Sequence, residues 1–396
     1  MTDLARFTLD LPAPCGARVT ATVFAPPGGA REVHVIVEAC PELRFPDALA
    51  GLAEAYARAQ RQLGLGPGSA VFRRFFASDL ASQAPLLVDH PALGSVRDGA
   101  VAVSLVEQPP LPGRRLALWA YHVADPTGPL RKRREGDCVR VERPERAHLW
   151  TAGLVAEDRR AGVEGQTVQV LARFARGLVE EGATLADHAL RTWLFLRDID
   201  RDYPGFVAAR RGVFAEHGLT AATHFITSTG IGGRTAEPSD RVVLDAWSVA
   251  GLDPGQLRFL EAPRHLGPTS AYGVTFERGT RVAYGDRAHV LISGTASIDP
   301  AGAVVGVGDI DAQLGRMAEN FDALLDNAEA TKADLALLLF YLRDPADEAR
   351  TRALAAARYP DVPHLVLHAP VCRPTWLVEM EGVALTSASS PRWPVF

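Results

Sequence analysis

Lysine is nearly missing from this chain: of 42 basic residues only Lys132 and Lys332 are lysines, which leaves 40 arginines. Both lysines sit in polar, turn-like sequence, so a buried Schiff-base lysine is not expected and pyridoxal chemistry has no anchor. Cysteine is scarce too. Cys15, Cys40, Cys138 and Cys372 fall at no metal-ligand or redox spacing, and each reads first as a small buried hydrophobe. The eleven histidines form no HExxH motif. His364 and His368 are four apart, but in strand-like sequence, so neither a metal nor any other cofactor is expected. Positive charge is not in excess either. The net charge of -5 gives no global field for nucleic acid or an acidic membrane, and an anionic ligand would need a local cluster of arginines. The N-terminus has no basic start followed by an apolar core. The longest strongly apolar run, Leu335 to Leu342, is far too short to span a bilayer. A cytoplasmic location is the expectation.

What is present is an ordinary globular composition, 47% hydrophobic and 22% charged, over 396 residues. That length exceeds one compact core and predicts two or three domains. An internal repeat decides between them. Arg146-Ala147-His148-Leu149-Trp150-Thr151-Ala152-Gly153 reads like Arg287-Ala288-His289-Val290-Leu291-Ile292-Ser293-Gly294. Each is followed by a turn and an amphipathic helix. The later helix carries Ile310, Leu314, Met317, Phe321 and Leu324 on one face. The earlier, from about Thr167 to Glu181, carries Val168, Leu171, Phe174 and Leu178. Each then leads into a strand, at Leu190 to Asp198 and at Leu337 to Asp344, a second helix and two more strands. A fainter copy lies in front: a strand at His34 to Glu38, a helix at Ala48 to Leu63, and strands at Phe72 to Phe76 and Leu116 to Val123. The predicted organisation is three units, 1–130, 131–255 and 256–396.

The third unit resembles the Rid (YjgF-like) family. The match is carried by Ser293-Gly294-Thr295-Ala296-Ser297-Ile298-Asp299, Gln313, Asn320-Phe321, Tyr341-Leu342-Arg343-Asp344 and Val378 to Ala384. The resemblance implies an α/β (α+β) fold in which each unit is a mixed sheet backed by two helices. It also implies a trimer with clefts between units. Three fused Rid-like units would make a covalent pseudo-trimer, so a monomer is expected. Ordinary Rid proteins hold a substrate carboxylate with an arginine opening the penultimate strand. That position reads as His364 in the third unit and falls at Ala222-Thr223-His224 in the second. Neither keeps the arginine, which argues against an enamine or imine deaminase.

Three stretches instead resemble the chorismatases, Rid-derived enzymes acting on chorismate: Thr229-Gly230-Ile231-Gly232-Gly233, Ser293 to Ile298, and Ala369-Pro370-Val371-Cys372-Arg373-Pro374-Thr375-Trp376-Leu377-Val378-Glu379. In a period-2 strand Glu379 and Glu381 share a face, and two neighbouring carboxyls raise each other's proton affinity, which suits a general acid. The rival reading is a sheet-edge carboxylate in a salt bridge. The positions equivalent to Glu379 read as Asp245 and Trp119 in the other units. The resemblance implies that Glu379 protonates the methylene carbon of the enolpyruvyl group, with loss of pyruvate. Arg373 and Arg278 are candidates for holding the two carboxylates, since guanidinium forks bind them bidentately; a solvated surface role is the alternative. Gly230 and Gly232, in a glycine-rich loop, could bring backbone N–H groups to an anion, or form a plain turn. Thr295, Tyr203 and Tyr272 are further candidates for the pocket. The resemblance also implies that Gly294 and Cys372 line it, and that this pairing accompanies 3-hydroxybenzoate formation. Three rivals stay open: hydrolysis to a dihydroxycyclohexadienoate, a deaminase, and a non-catalytic Rid-like binding protein.

Overall fold

The structure, a computed structural model, describes residues 3–11, 16–88, 90, 99–387 and 390–396. Three six-stranded sheets follow one another along the chain. The first holds β1 (Leu4–Leu11), β2 (Ala17–Phe24), β3 (Arg31–Ala39), β4 (Ala70–Ala77), β5 (Ala102–Glu107) and β6 (Leu116–Ala124). The second holds β7 (Lys132–Glu135), β8 (Cys138–Arg143), β9 (Arg146–Val155), β10 (Ala189–Leu196), β11 (Thr227–Gly232) and β12 (Val242–Ala250). The third holds β13 (Leu257–Phe259), β14 (Gly279–Ala283), β15 (Ala288–Ala296), β16 (Leu335–Leu342), β17 (His364–His368) and β18 (Val378–Thr386). Strand order is the same in all three: first, second, third, sixth, fourth, fifth. In each, only the fourth and fifth strands run parallel. The front copy, faintest in sequence, thus has the full topology of the other two.

Two main helices back each sheet. They are α1 (Phe45–Gln62) and α2 (Leu80–Val88); α3 (Val163–Glu180), with the short α4 (Leu185–His188), and α5 (Ile199–Glu216); and α6 (Ile310–Asn327) and α7 (Glu348–Arg358). The apolar stripe expected on α6 is buried from Leu314 onward, with Ile310 half-buried, and Asp309 caps the first turn by accepting from Ala312 N. The α3 helix begins about a turn earlier than its periodicity suggested, because Val163 joins the buried face. Central strands such as β16 are buried on both faces along their whole length, which is why they read as unbroken apolar runs.

The inner faces of the sheets share one core with residues from all three units. Phe72 stacks on Trp150 at 4.9 Å and Trp150 on Trp247 at 4.8 Å, while Trp119 meets Trp193 edge-on at 5.8 Å. A buried ion pair crosses each boundary between units. Arg74–Asp245 joins the first to the second, Arg191–Glu381 the second to the third, and Arg287–Glu32 the third to the first, each at 2.7 Å. Such pairs are expensive to break singly, because the survivor is left as an uncompensated buried charge.

Three minor expectations are corrected. Lys132 opens β7 instead of a turn, with Nζ donating to Ala70 O at 2.5 Å. Cys40 is exposed, not a core thiol, and Cys15 lies outside the described residues. No helix among the described residues is long and apolar enough to cross a membrane.

Candidate active site

Between the second and third units is a narrow cleft of about 470 Å³, counting its open mouth. The second unit supplies Tyr203 and Arg210 from α5 and Ser228 to Gly230 from β11. The third supplies Tyr272 and Arg278 from the segment before β14, Gly294 from β15, Cys372 and Arg373 from the segment after β17, and Glu379 from β18.

Glu379 is 4% exposed. Burial, reinforced by the neighbouring charge of Glu381 and opposed by Arg191 and Arg278, pushes its carboxyl up to about 8. It is therefore mostly a neutral acid at pH 7. Glu381, two residues on, has a different setting. Its Oε2 is 2.7 Å from Arg191 Nη2 and accepts from Thr229 Oγ1 at 2.5 Å, while Oε1 accepts from Trp193 Nε1 at 2.7 Å. One carboxyl faces the cavity with its proton, and the other is tied into the unit boundary. Gly294 sits in a β-bulge, where the β15–β18 register shifts between Ile292 and Thr295. A Cβ there would meet the Glu379 carboxyl, so any side chain at 294 would push that carboxyl from its place.

Three guanidinium groups surround the acid, and none forms an ion pair with a carboxylate of the described residues. Arg210, 1% exposed, spends Nε on Thr275 Oγ1 at 2.9 Å and lies over Phe206 at 4.8 Å. Arg278, 6% exposed, donates Nη2 to Gly267 O at 3.0 Å. Burial lowers the proton affinity of both. Arg373 stacks on Tyr272 at 5.5 Å and on Trp376 at 5.2 Å. Cys372 is pushed up to about 12, first by burial and then by Glu379, so it is a neutral thiol and not a nucleophile. Burial and contact with Cys372 raise the Tyr203 phenol well above its ordinary range.

The cavity thus gathers Glu379, Cys372, Gly294, Arg373, Arg278, Gly230, Tyr203 and Tyr272 from the sequence candidates. Thr295 and Gly232 do not line it. Thr295 Oγ1 donates to Ser293 O at 3.0 Å. Gly232 meets another segment closely: a Cβ there would be 2.7 Å from Pro370 Cδ. The glycine-rich stretch is not a loop either, because Thr227 to Gly232 form β11 at the edge of the second sheet.

The equivalence drawn for Glu379 is also corrected. In the ladders Asp245 faces Trp193 and Trp119 faces Arg74, the strand positions that in the third unit belong to Leu339, opposite Glu381. Asp245 and Trp119 therefore match Glu381, and Glu379 matches Val243 and Ala117. Likewise His364 faces Leu338 as Ser228 faces Thr192, so the penultimate-strand position of the second unit is Ser228, not Ala222 to His224. Arg210, Thr229 and Arg191 were missed. For Arg210 a signal existed: it falls among the buried Phe206, Val207, Val213 and Phe214 of α5, an arginine on an apolar helix face.

No protein-family model and no curated protein matches the chain. Among solved structures, RidA from the Antarctic bacterium Psychrobacter is 20% identical, covering 32% of this chain and 98% of its own, with a TM-score of 0.27. Yeast Mmf1 is 14% identical, covering 33% of this chain and 98% of its own, with a TM-score of 0.29. A crystal structure of a chorismatase superposes with a TM-score of 0.62 at 20% identity, covering 81% of this chain and 94% of that one. Over four-fifths of its length, this chain shares the fold of a chorismatase.

Proposed function

We propose that this chain converts chorismate to 3-hydroxybenzoate and pyruvate, with Glu379 as the general acid. The observation that carries this reading is a buried neutral carboxyl facing a cavity lined by three guanidinium groups, two of them buried, that form no ion pair with a carboxylate of the described residues. Buried unpaired cations are costly, and a dianionic substrate would supply the missing charge. Chorismate has two carboxylates and an acid-labile enol ether.

In this reading Glu379 delivers its proton to the enolpyruvyl methylene carbon, which becomes a methyl group. The oxocarbenium ion so formed leaves as pyruvate when the bond from its oxygen to the ring breaks. The ring's own hydroxyl oxygen fills the vacated position and gives its proton to the Glu379 carboxylate. That oxygen then bridges two ring carbons; its bond to its original carbon breaks and it takes up a proton, while the carbon it now occupies loses its proton to solvent, completing the aromatic product. The sum is chorismate to 3-hydroxybenzoate plus pyruvic acid, with no water consumed. Arg278, close enough to lower the proton affinity of Glu379, would hold the enolpyruvyl carboxylate. Arg210 and Arg373 then take the ring carboxylate. A neutral thiol at Cys372 suits a wall against which the ring hydroxyl stays close, rather than a reactive group.

The test is to incubate purified protein with chorismate, separate the products by chromatography and count pyruvate. Equal amounts of 3-hydroxybenzoate and pyruvate are expected. The dihydroxycyclohexadienoate alone would move the chain to the hydrolytic branch, and no pyruvate would refute the reading.

A further inference from the structure

Thr229 lies at the meeting point of both units and is the hub of a closed circuit. Its Oγ1 accepts from Arg191 Nη2 at 2.5 Å and from Gly294 N at 2.9 Å, and donates to Glu381 Oε2 at 2.5 Å. Gly294 is the residue over which Glu379 Oε1 rests. Glu381 is two residues from Glu379 on the same face of β18. The chain of contacts therefore runs from Glu381 through a hydroxyl of the other unit to the glycine under the acid. All four residues but Gly294 are nearly sealed from solvent: Arg191 is 2%, Thr229 1% and Glu381 4% exposed. A hydroxyl that takes two donors and gives one hydrogen has no capacity left for a ligand, so its work is on the protein.

We propose that Thr229, with the Arg191–Glu381 pair it bridges, is the positioning element that seats the Glu379 carboxyl and decides which of the two strand carboxyls keeps the proton. This rests on the reading of Glu379 as the general acid. The physical reason is geometric. Three donors fix the Glu381 charge in place at the unit boundary. The Gly294 N–H, held by the same hydroxyl, keeps the bulge open where the Glu379 carboxyl must sit. The groups facing Glu379 are Glu381 on its own strand, Arg191 from β10, Arg278 from the segment before β14, and Cys372 and Arg373 after β17. Tyr203 and Arg210 of α5, Tyr272, and Tyr341, which stands opposite Glu379 on β16 and whose phenol is raised by burial and then by Glu381, complete the surround. Among these, Glu381 is the main charge holding the proton on Glu379, and Arg191 the main one opposing it.

Thr229→Val keeps the shape and removes the hydroxyl, whereas Thr229→Ser restores it. For Thr229→Val, kcat is expected to fall about tenfold or more, since small misplacements of a catalytic group cost that much, with KM changed less than about threefold. The alkaline limb of the pH–rate profile should move to lower pH, because a bulge no longer held by the hydroxyl opens the Glu379 carboxyl to solvent and relieves the burial that raises it. Thr229→Ser should recover both. Infrared titration of the Glu379 carboxyl band, assigned by its loss in Glu379→Gln, reads the same shift without substrate. An inactive wild type would thus sink the proposed reaction while leaving the positioning testable. Should Thr229→Val not fold, the paired Arg191→Gln/Glu381→Gln variant removes both charges together, and the Glu379 midpoint should again fall. A Thr229→Val or paired variant with an unmoved carboxyl titration would overturn the proposal. So would a Ser variant no better than Val.

Discussion

Glu379 and Gly294 occupy one another's space: Oε1 of the glutamate stands against the point where a Cβ on residue 294 would be. The glycine is thus the seat of the acid before it is anything else. The resemblance alone gave Gly294 a part in choosing the product, by leaving the ring room to settle. Gly294→Ala should instead push the carboxyl aside. We expect pyruvate release to fall by roughly 10–10²-fold, in line with misplacing a catalytic group, whatever happens to the product ratio. Steady-state rates with chorismate check this. An alanine variant with normal pyruvate release and a changed product would return the residue to its first role.

On the proposed reading product choice rests mainly with Cys372, which lines the cavity beside Glu379. Cys372→Val adds bulk and removes a weakly polar group at a closely packed wall. The variant should still release pyruvate within about a factor of ten of the parent, since the acid is untouched. Its product should shift toward the non-aromatic diol. Chromatography of the products with pyruvate counted in parallel decides it, and an unchanged ratio would remove Cys372 from the choice.

Arg210 offers a test of substrate charge. Its guanidinium is buried with no carboxylate partner among the described residues, a cost that an anionic ligand would relieve. Arg210→Gln should raise KM by roughly 10–10²-fold, the worth of a hydrogen bond to a charged group. The unliganded variant should melt no lower than the parent. A lower melting temperature with KM unchanged would make Arg210 a structural cation.

Much of this was legible in the sequence, and the misses have physical causes. The shared Arg-Ala-His run and the helix periodicities led to the repeat, because those patterns mark buried faces directly. Strand starts were the obstacle to matching residues between copies. The last strands begin at Val242 and at Val378, each opposite the end of the fourth strand, whereas in the third unit the strand-like run already starts at Trp376. That is why Asp245 was matched to Glu379 instead of Glu381. Arg210 was hidden among 40 arginines of the same chain. Thr229 was quoted only as part of a glycine-rich motif, although its hydroxyl is the joint between two units. Gly232 owes its lack of a side chain to Pro370, a contact between units that no local motif encodes.

The acid should also leave a mark on stability. A carboxyl raised to about 8 from an ordinary 4.5 binds its proton more firmly in the folded state. Between those values the folded protein holds more protons than the unfolded one, so stability falls as pH rises through that window. Glu379→Gln has no such titration. Its stability relative to the parent should be similar near pH 4.5 and increase toward pH 8, with a slope of at most about 1.4 kcal/mol per pH unit. Denaturant melts at pH 5 and pH 8 measure the difference, and parallel curves for the two proteins would show that Glu379 is ionised in the fold at neutral pH.

The most direct measurement is pyruvate release from chorismate by the parent and by Glu379→Gln, which keeps the shape of the side chain but has no proton to deliver. General acids typically contribute about 10²–10⁴-fold, and proton transfer to carbon belongs at the upper end of that range. The parent should release pyruvate and 3-hydroxybenzoate in equal amounts, with the rate falling above about pH 8 as Glu379 ionises. The variant should lose at least a hundredfold in kcat at every pH while still binding the substrate. Near-normal pyruvate release by Glu379→Gln would contradict the account.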